Sequence, residues 1–239
     1  MQRSLIGETA LVTGASRGIG KAIAEALVGA GARVAGVGRN AATIESAMHG
    51  LGEPEQTLAL VADLTHPAEA RACLRVVEEA WDFPSIVVHA AGSGGFASVD
   101  QLTDEAWEAC RAINLDAVVT LATAVLPRLA QRGRGHLVVI NSIAAVHTFP
   151  GASAYCATKA GARAFLATAR EEVRRSGVRV TTVIAGSVDT PFWDAYDLGL
   201  DRQQMLHPED IADAVLAALQ ASPRAAVDEI QILPRAGIL

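Results

Sequence analysis

The stretch Thr9-Ala-Leu-Val-Thr13-Gly14-Ala-Ser-Arg-Gly18-Ile-Gly20 decides the fold of this 239-residue chain. Its first five residues form a short apolar run, as in a buried strand, and the residues from Ile19 to Val28 have the pattern of a helix. Glycines between a strand and a helix let the backbone approach a pyrophosphate, whose charge the helix N-terminus favours. The stretch therefore predicts a strand–turn–helix unit for a dinucleotide, although tight turns also require glycine for their own geometry.

Short apolar runs alternate with helical patterns along the rest of the chain. These runs are near-continuous Val, Ile, Leu and Ala, which is typical of a parallel sheet buried on both faces. Because no break in composition divides the repeated units, we expect one α/β, doubly wound (Rossmann) domain over residues 1–239, with a seven-stranded parallel sheet and helices on both faces. The expected strands are Thr9–Thr13, Arg33–Val37, Thr57–Ala62, Ser85–His89, His136–Asn141, Val178–Ile184 and Glu229–Leu233. The expected helices are Ile19–Val28, Ala41–His49, Pro67–Trp81, a long region from Thr103 to Gln131, Ala154–Arg175 and Pro208–Ala221.

The composition excludes several classes of partner. The formal net charge is −6 and the Lys and Arg residues form no block, which argues against nucleic acid and anionic membranes. The N-terminus lacks the apolar core of a signal peptide, and the most apolar stretch, Ala117 to Leu126, is too short to span a bilayer. The chain is 51% hydrophobic, ample for a sizeable core. We expect a cytoplasmic protein that binds neither nucleic acid nor membrane.

The three cysteines, Cys73, Cys110 and Cys156, are far apart and odd in number. Each lies in an alanine-rich helical context, so we expect buried thiols in a reducing compartment. No metal-ligand spacing occurs among them, and no metal is expected.

A second stretch, from Ser142 to Lys159, carries groups for acid–base chemistry. Tyr155 and Lys159 are four residues apart in an expected helix, so the phenol and the ammonium lie on one helix face. Ser142 ends an expected buried strand, where its hydroxyl can face the phenol. A nearby ammonium favours the phenolate and lowers the pKa of a tyrosine from its usual value of about 10. The three groups predict proton transfer to an alcohol or carbonyl oxygen, with a chance i,i+4 pair and a capping serine as the alternative.

Together the two stretches resemble the short-chain dehydrogenase/reductase family. The motifs that carry the resemblance are Thr13-Gly14-x-x-x-Gly18-x-Gly20, Ser142 and Tyr155-x-x-x-Lys159, in family order and at family-like spacing over essentially the whole chain. The resemblance is to the NADP-preferring branch of carbonyl reductases and 3-oxoacyl reductases. It implies a dinucleotide cofactor and the interconversion of a ketone or aldehyde and an alcohol.

The resemblance also implies roles for individual residues. Tyr155 would be the general acid/base, Lys159 would lower its pKa and bind the nicotinamide ribose, and Ser142 would orient the substrate oxygen. Asn114 would support a water relay to the lysine, although an asparagine inside a helix can also bond locally. Asp63 would contact the adenine, and the loop 184–190 would hold the nicotinamide carboxamide. The implied cofactor-binding set is Gly14, Ser16, Arg17, Gly18, Ile19, Gly20, Arg39, Asp63, Leu64, Ala90, Ala91, Gly92, Tyr155, Lys159, Gly186, Val188 and Thr190.

The chain departs from the family pattern in three places. His89-Ala90-Ala91-Gly92 replaces Asn-Asn-Ala-Gly after the fourth strand, which alters the side-chain hydrogen bonds there and favours a structural role for His89. Ala185-Gly186 replaces Pro-Gly before the carboxamide loop, which removes one fixed φ angle. The segment from Glu229 to Pro234 replaces a glycine-rich ending that helps many relatives form tetramers. A homo-oligomer, tetramer or dimer, is still expected through the two long helices.

The end of the second strand favours NADP(H) over NAD(H). An acidic residue there would accept hydrogen bonds from the ribose hydroxyls and repel a 2′-phosphate. Gly38 occupies that position and Arg39 follows it, while Arg17 lies inside the glycine turn. Two guanidinium groups can hold a phosphate through charge-assisted bonds, whereas two solvated surface arginines are the alternative.

Aromatic residues cluster where the resemblance places the substrate. Binding pockets and subunit interfaces are both rich in aromatic side chains, so a packed loop or interface is the alternative. No Lys or Arg lies between Pro191 and Asp201, which favours an apolar carbonyl compound or alcohol over a phosphorylated one. Segment 191–206 is expected to be a substrate lid. The expected pocket is Phe96, Ser142, Phe149, Tyr155, Phe192, Trp193 and Tyr196.

These patterns lead to one hypothesis and two competitors. The leading hypothesis is an NADP(H)-dependent oxidoreductase in which the cofactor carries the hydride and the protein handles the proton. A non-catalytic dinucleotide sensor or scaffold is possible on the same fold, but the complete Ser142, Tyr155, Lys159 and Asn114 set argues against it. An epimerase or dehydratase of the longer relatives is disfavoured by the glycine spacing and the short C-terminal region.

Overall fold

A seven-stranded sheet forms the centre of the computed structural model, which describes residues 4–196 and 199–238. All its strand pairs are parallel, in the order β3-β2-β1-β4-β5-β6-β7, so the predicted Rossmann class is confirmed. The strands are β1 (Thr9–Thr13), β2 (Arg33–Gly38), β3 (Thr57–Val61), β4 (Ile86–His89), β5 (Gly135–Ser142), β6 (Val178–Ala185) and β7 (Glu229–Ile232). The helices are α1 (Gly18–Gly29), α2 (Ala41–Met48), α3 (Pro67–Ala80), α4 (Asp104–Arg111), α5 (Ala117–Arg132), α6 (Ser153–Val173) and α7 (Pro208–Gln220).

Helices cover both faces of the sheet, so the sheet divides the hydrophobic core into two layers. Successive residues of β1 serve different layers, because Leu11 packs with α3, α5 and α6 while Val12 packs with α1 and α7. Every residue of β1 is buried. The strands are therefore apolar without interruption because both faces of the sheet are buried.

The predicted long helix over Thr103 to Gln131 contains a π-helical turn. Helix α4 ends at Arg111, residues Ala112–Asp116 form the π turn, and α5 begins at Ala117. A π turn holds one extra residue and re-aims the side chains within it, and such turns occur frequently at functional sites. Here it directs Asn114 inward, where only 1% of the residue is exposed.

The combined helical stretch, Asp104–Arg132, has 29 residues and a mean hydropathy of 1.5, so its length and composition would allow it to cross a membrane. The stretch from Ala117 to Leu126, predicted to be too short for a span, is only part of this longer helical region. The apolar side of α5 packs into the core through Leu121, Val125 and Leu129. Packing against the sheet therefore accounts for the apolar character of this helix.

All three cysteines are buried and carry free thiols, as predicted. Burial raises the pKa of the Cys73 thiol to about 11, because a thiolate is unfavourable in an apolar core.

Candidate active site

A cavity of about 1480 Å³ lies at the carboxyl ends of the strands. It crosses the position where β1 pairs with β2 on one side and with β4 on the other, which is the switch point of the strand order. In open α/β sheets, ligands bind in the crevice at this point. Of the predicted site residues, those that line the cavity are Gly14, Ser16, Arg17, Gly18, Ile19, Gly20, Arg39, Leu64, Ala90, Ala91, Gly92, Phe96, Ser142, Phe149, Tyr155, Lys159, Gly186, Val188, Thr190, Phe192 and Trp193.

The glycine turn needs glycine for close approach as well as for conformation. Gly14 has φ +69°, and a Cβ there would lie 2.9 Å from the Ala91 backbone. A Cβ on Gly20 would overlap the carbonyl oxygen of Gly14, and one on Gly18 would lie 3.1 Å from Thr190. Because α1 begins at Gly18, its first amides point into the crevice. A helix N-terminus behind side-chain-free backbone is suited to hold a pyrophosphate.

Two arginines stand at the same end of the cavity. Arg17 and Arg39 are exposed, line the cavity and form no salt bridge with any described residue. Gly38 precedes Arg39, and a Cβ on it would lie 3.1 Å from the Ile44 Cβ and 3.4 Å from the Ser16 Cβ. An acidic side chain at position 38 would therefore be crowded. This end of the cavity offers unpaired cations and no strand-end carboxylate.

Ser142 and Tyr155 meet at the other end of the cavity. Ser142 is the last residue of β5 and pairs with Ala185 of β6, while Tyr155 lies in the first turn of α6. Both side chains line the cavity, and the Ser142 hydroxyl favours the ionised form of the phenol and so lowers its pKa. The Ser142 hydroxyl also accepts a hydrogen bond from the Ala144 amide at 3.2 Å, so it caps the 3₁₀ turn Ile143–Ala145 as well. Both interpretations of this serine, a cap and a partner of the phenol, hold at once.

The pKa of Tyr155 moves in the opposite direction to the prediction. Burial raises it to about 12, and the hydrogen bond from Ser142 offsets only part of that effect. Burial also lowers the pKa of Lys159 to about 8, and the Lys159 Nζ atom lies 5.6 Å from the centre of the tyrosine ring. The prediction rested only on the attraction between ammonium and phenolate. In the folded chain burial dominates, because it disfavours the charged form of both groups.

Asn114 connects the π turn to the loop after β4. Its side-chain amide donates to the carbonyl oxygens of Ser93 (2.9 Å) and Cys110 (3.0 Å), and its Oδ1 accepts from the Ser93 amide at 3.3 Å. A Cβ on Gly92 would lie 3.0 Å from Asn114 Oδ1 and 3.5 Å from Lys159 Nζ. Asn114 does not line the cavity, but it lies against the same glycine as the lysine. Its local bond to Cys110 and its long-range bonds to Ser93 coexist.

Aromatic side chains surround the phenol. Phe96 is central, with ring centres 5.7 Å from Tyr155, 6.3 Å from Phe192 and 6.4 Å from Trp193. Phe149, which also lines the cavity, packs in the same cluster. Tyr196 packs edge-on against Phe96, with 4.7 Å between ring centres, and is outside the cavity lining, so its role in the substrate pocket stays a prediction. Its hydroxyl bonds to the Gly94 backbone, and burial raises its pKa.

Arg202 ties the predicted lid to the loop before it. Its guanidinium donates to Asp189 Oδ1 (2.6 Å), Asp194 Oδ1 (2.7 Å) and the carbonyl oxygen of Thr190 (3.0 Å). The predicted lid, 191–206, contains short 3₁₀ turns at Trp193–Ala195 and Arg202–Gln204, and its residues 197 and 198 lie outside the described residues. The sequence did not predict a role for Arg202, because its partners Asp189 and Asp194 lie 13 and 8 positions away along the chain.

Asp63 is also outside the cavity lining. Its Oδ1 accepts from the amide (3.0 Å) and the hydroxyl (2.8 Å) of Thr65, and these bonds, with a smaller contribution from Arg39, hold its pKa below the usual value. The carboxylate therefore caps a turn, while the neighbouring Leu64 and Thr65 line the cavity. The predicted contact of Asp63 with adenine stays a prediction. Lining residues that sequence reasoning missed include Asn40, Thr43, Thr65, Glu105 and Glu108.

Within the described ranges, 4–196 and 199–238, no group of three or more His, Cys, Asp or Glu side chains is arranged to hold a metal ion. The cations in the cavity lining are Arg17, Arg39 and Lys159. This lining is suited to acid–base chemistry at the hydroxyl groups of Ser142 and Tyr155, beside the crevice that the glycine turn lines.

A parallel sheet with a glycine turn at its switch point, and a Ser–Tyr–Lys set beside it, defines a dinucleotide-binding oxidoreductase fold. Comparison with known proteins gives the family: the family model for short chain dehydrogenases matches residues 8–199, and this chain belongs to that family. An uncharacterized oxidoreductase of Staphylococcus saprophyticus is 31% identical over 229 residues, covering 95% of this chain and 97% of the relative. One of Staphylococcus epidermidis is 32% identical over 227 residues, with 95% and 97% covered.

Solved structures agree with that assignment. An alcohol dehydrogenase from the archaeon Thermococcus sibiricus, complexed with 5-hydroxy-NADP, superposes with a TM-score of 0.87 at 29% identity, covering 95% of this chain and 97% of that one. A metagenomic short-chain oxidoreductase in complex with NADP gives a TM-score of 0.85 at 31% identity, covering 97% and 99%. The protein is therefore an oxidoreductase of the short-chain dehydrogenase family.

Proposed function

We propose that the protein is an NADP(H)-dependent oxidoreductase that interconverts a ketone or aldehyde and an alcohol, with Tyr155 as the general acid/base. The observation that supports this proposal is that Ser142, Tyr155 and Lys159 line the same cavity as the glycine turn. A dinucleotide that lies along the crevice reaches from the arginines to the hydroxyl pair. A sensor or scaffold would have no need of this half-buried serine and tyrosine beside a lysine.

NADP(H), when bound, supplies or accepts the hydride, and the chain's own residues handle the proton. In reduction, Ser142 donates a hydrogen bond to the carbonyl oxygen and Tyr155 transfers its proton to that oxygen as charge develops there. With a pKa of about 12, Tyr155 holds its proton at neutral pH and is ready to act as the acid. The phenolate that remains faces Lys159, whose ammonium favours the ionised form. Oxidation of an alcohol runs through the same proton transfers in reverse.

The cofactor proposal rests on the charges at the second strand end. Arg17 and Arg39 supply two unpaired guanidinium groups, and guanidinium binds phosphate through parallel charge-assisted bonds. Gly38 supplies no carboxylate of the kind that would select NAD(H). The two solved relatives that were compared contain NADP or 5-hydroxy-NADP, which agrees with this charge pattern.

The substrate proposal rests on the wall around Tyr155. The rings of Phe96, Phe149, Phe192 and Trp193 line the cavity there, and Lys159 is the cation near them in the lining. Glu105 and Glu108 of α4 line the same cavity. An anionic substrate would face two carboxylates and lose its hydration among aromatic rings. An uncharged, apolar or aromatic carbonyl compound or alcohol fits these surroundings.

The direct test is a panel of carbonyl compounds and alcohols with NADPH, NADH and their oxidised forms, followed by the absorbance of the reduced nicotinamide. The proposal expects turnover of an apolar ketone or alcohol with NADP(H) and none by Tyr155→Phe. Cofactor binding is measured separately by fluorescence titration. If NADPH binds tightly but no compound on a wide panel is turned over, the assignment of Tyr155 as acid/base fails. That result would favour the hypothesis of a non-catalytic dinucleotide sensor.

Two further proposals concern assembly and location. A homo-oligomer, tetramer or dimer, would use the outer faces of α4–α5 and α6, where Leu115 and Phe165 are half-buried in the single chain. The C-terminal tail lies against the loop after β6, where a Cβ on Gly186 would be 2.7 Å from Pro234. A cytoplasmic location agrees with the free, buried thiols.

A further inference from the structure

A buried pair of side chains, Thr13 and His89, joins the ends of β1 and β4 beneath the cavity. The Thr13 Oγ1 atom lies 2.9 Å from His89 Nδ1, and the two residues are 76 positions apart in the chain. Thr13 is 0% exposed and His89 is 1% exposed. Neither side chain belongs to the cavity lining, so the pair supports the site from below.

The hydrogen bonds around Thr13 settle the direction of this contact. Its Oγ1 accepts from the amides of Ala90 (3.2 Å) and Ala91 (3.3 Å). A hydroxyl has two acceptor positions and one hydrogen, so the hydrogen of Thr13 remains for His89. His89 Nδ1 therefore accepts, and the imidazole is neutral with its hydrogen on Nε2. Burial agrees with the neutral form, since it lowers the pKa of His89 to about 3.

The two amides that Thr13 holds lie in the loop that forms one wall of the crevice. Ala90 and Ala91 line the cavity opposite Gly14, and the space between Gly14 and Ala91 is too narrow for a single Cβ. A change of the Thr13 χ1 angle would move Oγ1 away from both amides and leave Ala90 only its bond to the Thr13 carbonyl oxygen, at 3.3 Å. The imidazole opposes that change, because it would also break the hydrogen bond between Thr13 Oγ1 and His89 Nδ1.

We propose that His89 is a positioning residue for the dinucleotide: through the Thr13 hydroxyl it fixes the distance between the glycine turn and the 90–92 loop. This inference rests on the proposed function, because it requires that a dinucleotide binds across that crevice. The sequence predicted only a structural role for His89. The proposal adds that one acceptor atom, Nδ1, sets cofactor affinity without touching the cofactor.

The chain contains a matched control for this pair. His136, at the start of β5, is also 1% exposed, and its Nε2 lies 2.7 Å from the hydroxyl of Thr181. The Thr181 hydroxyl donates to the carbonyl oxygen of Val227. None of these three residues lines the cavity. A substitution of His136 thus removes an equally buried imidazole–threonine bond at a place where no cofactor is expected.

The experiment compares His89→Leu, His89→Asn and His136→Leu. Leucine removes the acceptor, whereas the asparagine Oδ1 is bonded to Cγ as Nδ1 is and can accept in its place. We expect His89→Leu to raise the Kd for NADPH about tenfold, the size of one lost buried hydrogen bond, with kcat at saturating cofactor within about threefold of the parent. We expect His89→Asn to stay within about twofold of the parent Kd, and His136→Leu to leave the Kd unchanged while lowering the unfolding temperature. Fluorescence titration gives the Kd values.

A double-mutant cycle with Thr13→Val separates the bond from general packing. If His89 acts through the hydroxyl, Thr13→Val and His89→Leu have the same effect on the Kd and their combination adds little. Additive effects, a Kd for His89→Asn as poor as that for His89→Leu, or an equal loss in His136→Leu would overturn the inference. A parent protein that does not bind NADPH would instead refute the proposed function, so the two failures are distinguishable.

Discussion

Lys159→Met is expected to make the cofactor-free protein more stable while it removes activity. Lys159 is 7% exposed, and its Nζ has no hydrogen-bond partner among the described residues. Burial lowers its pKa from 10.5 to about 8. At about 1.4 kcal/mol for each pH unit, the buried ammonium destabilises the folded state by about 3 kcal/mol at pH 7. Methionine has a similar unbranched shape and carries no charge, so it removes this penalty.

The pH dependence gives the prediction its sign. The folded lysine loses its proton near pH 8, whereas the unfolded one keeps it until about pH 10.5. The destabilisation by Lys159 is therefore full below pH 8 and shrinks as the pH rises towards 10.5. The advantage of Lys159→Met in the free energy of unfolding should fall from about 3 kcal/mol at pH 7 to about 2 at pH 9 and about 1 at pH 10.

Urea unfolding at a fixed protein concentration, without cofactor, measures this difference. Lys21 and Lys159 are the chain's two lysines, and Lys21→Met is the matched control. Lys21 is exposed and pairs with Glu25 at 3.4 Å on α1, so its removal should change stability by less than about 0.5 kcal/mol at every pH. An advantage of Lys159→Met that is absent at pH 7, or constant from pH 7 to 10, would refute the reasoning.

Three further predictions concern turnover. Tyr155→Phe should lower kcat by about 10²–10⁴-fold with little change in NADPH affinity, since only the proton donor is lost; turnover within a few-fold of the parent would contradict this. Arg39→Leu should lower kcat/KM for NADPH about tenfold and leave that for NADH nearly unchanged, because only NADPH has the 2′-phosphate; an equal effect on both cofactors would reject the contact. Arg202→Gln should raise the substrate KM several-fold with a smaller change in kcat, since the bonds to Asp189 and Asp194 hold the lid; limited proteolysis in the lid should rise in parallel, and an unchanged KM would argue against this role.

Local patterns in the sequence predicted the fold and most of the residues that the structure places around the cavity. A strand, a glycine turn and a helix occupy consecutive positions from Thr9 onwards, and their geometry follows from steric rules within the stretch. The proximity of Tyr155 and Lys159 could be predicted from the helix period alone. The position of Ser142 could be predicted from the end of the strand before it. These signals involve neighbours along the chain, so the sequence contained them.

The errors arose where distant segments meet. The pKa of Tyr155 rises because Phe96 and Phe192 come from separate loops to exclude water from it, and no spacing along α6 reveals that. Tyr196 shares its segment with Trp193 but packs edge-on against Phe96 outside the cavity lining, a side-chain direction that an irregular loop does not reveal in the sequence. The His89–Thr13 bond likewise needs the pairing of β1 with β4 before it can be seen.

That pairing has a consequence for the order in which the protein forms during synthesis. Strand β1 leaves the ribosome early, yet one of its two neighbours, β4, ends at His89, and the pair bond spans 76 positions. The parallel β1–α1–β2 unit alone has no crevice, because the opposite wall, the loop after β4, is not yet made. The phenol follows much later, on α6. A nascent chain released before β4 is made would expose the apolar edge of β1. Such a chain would bind chaperones and could not yet bind NADPH.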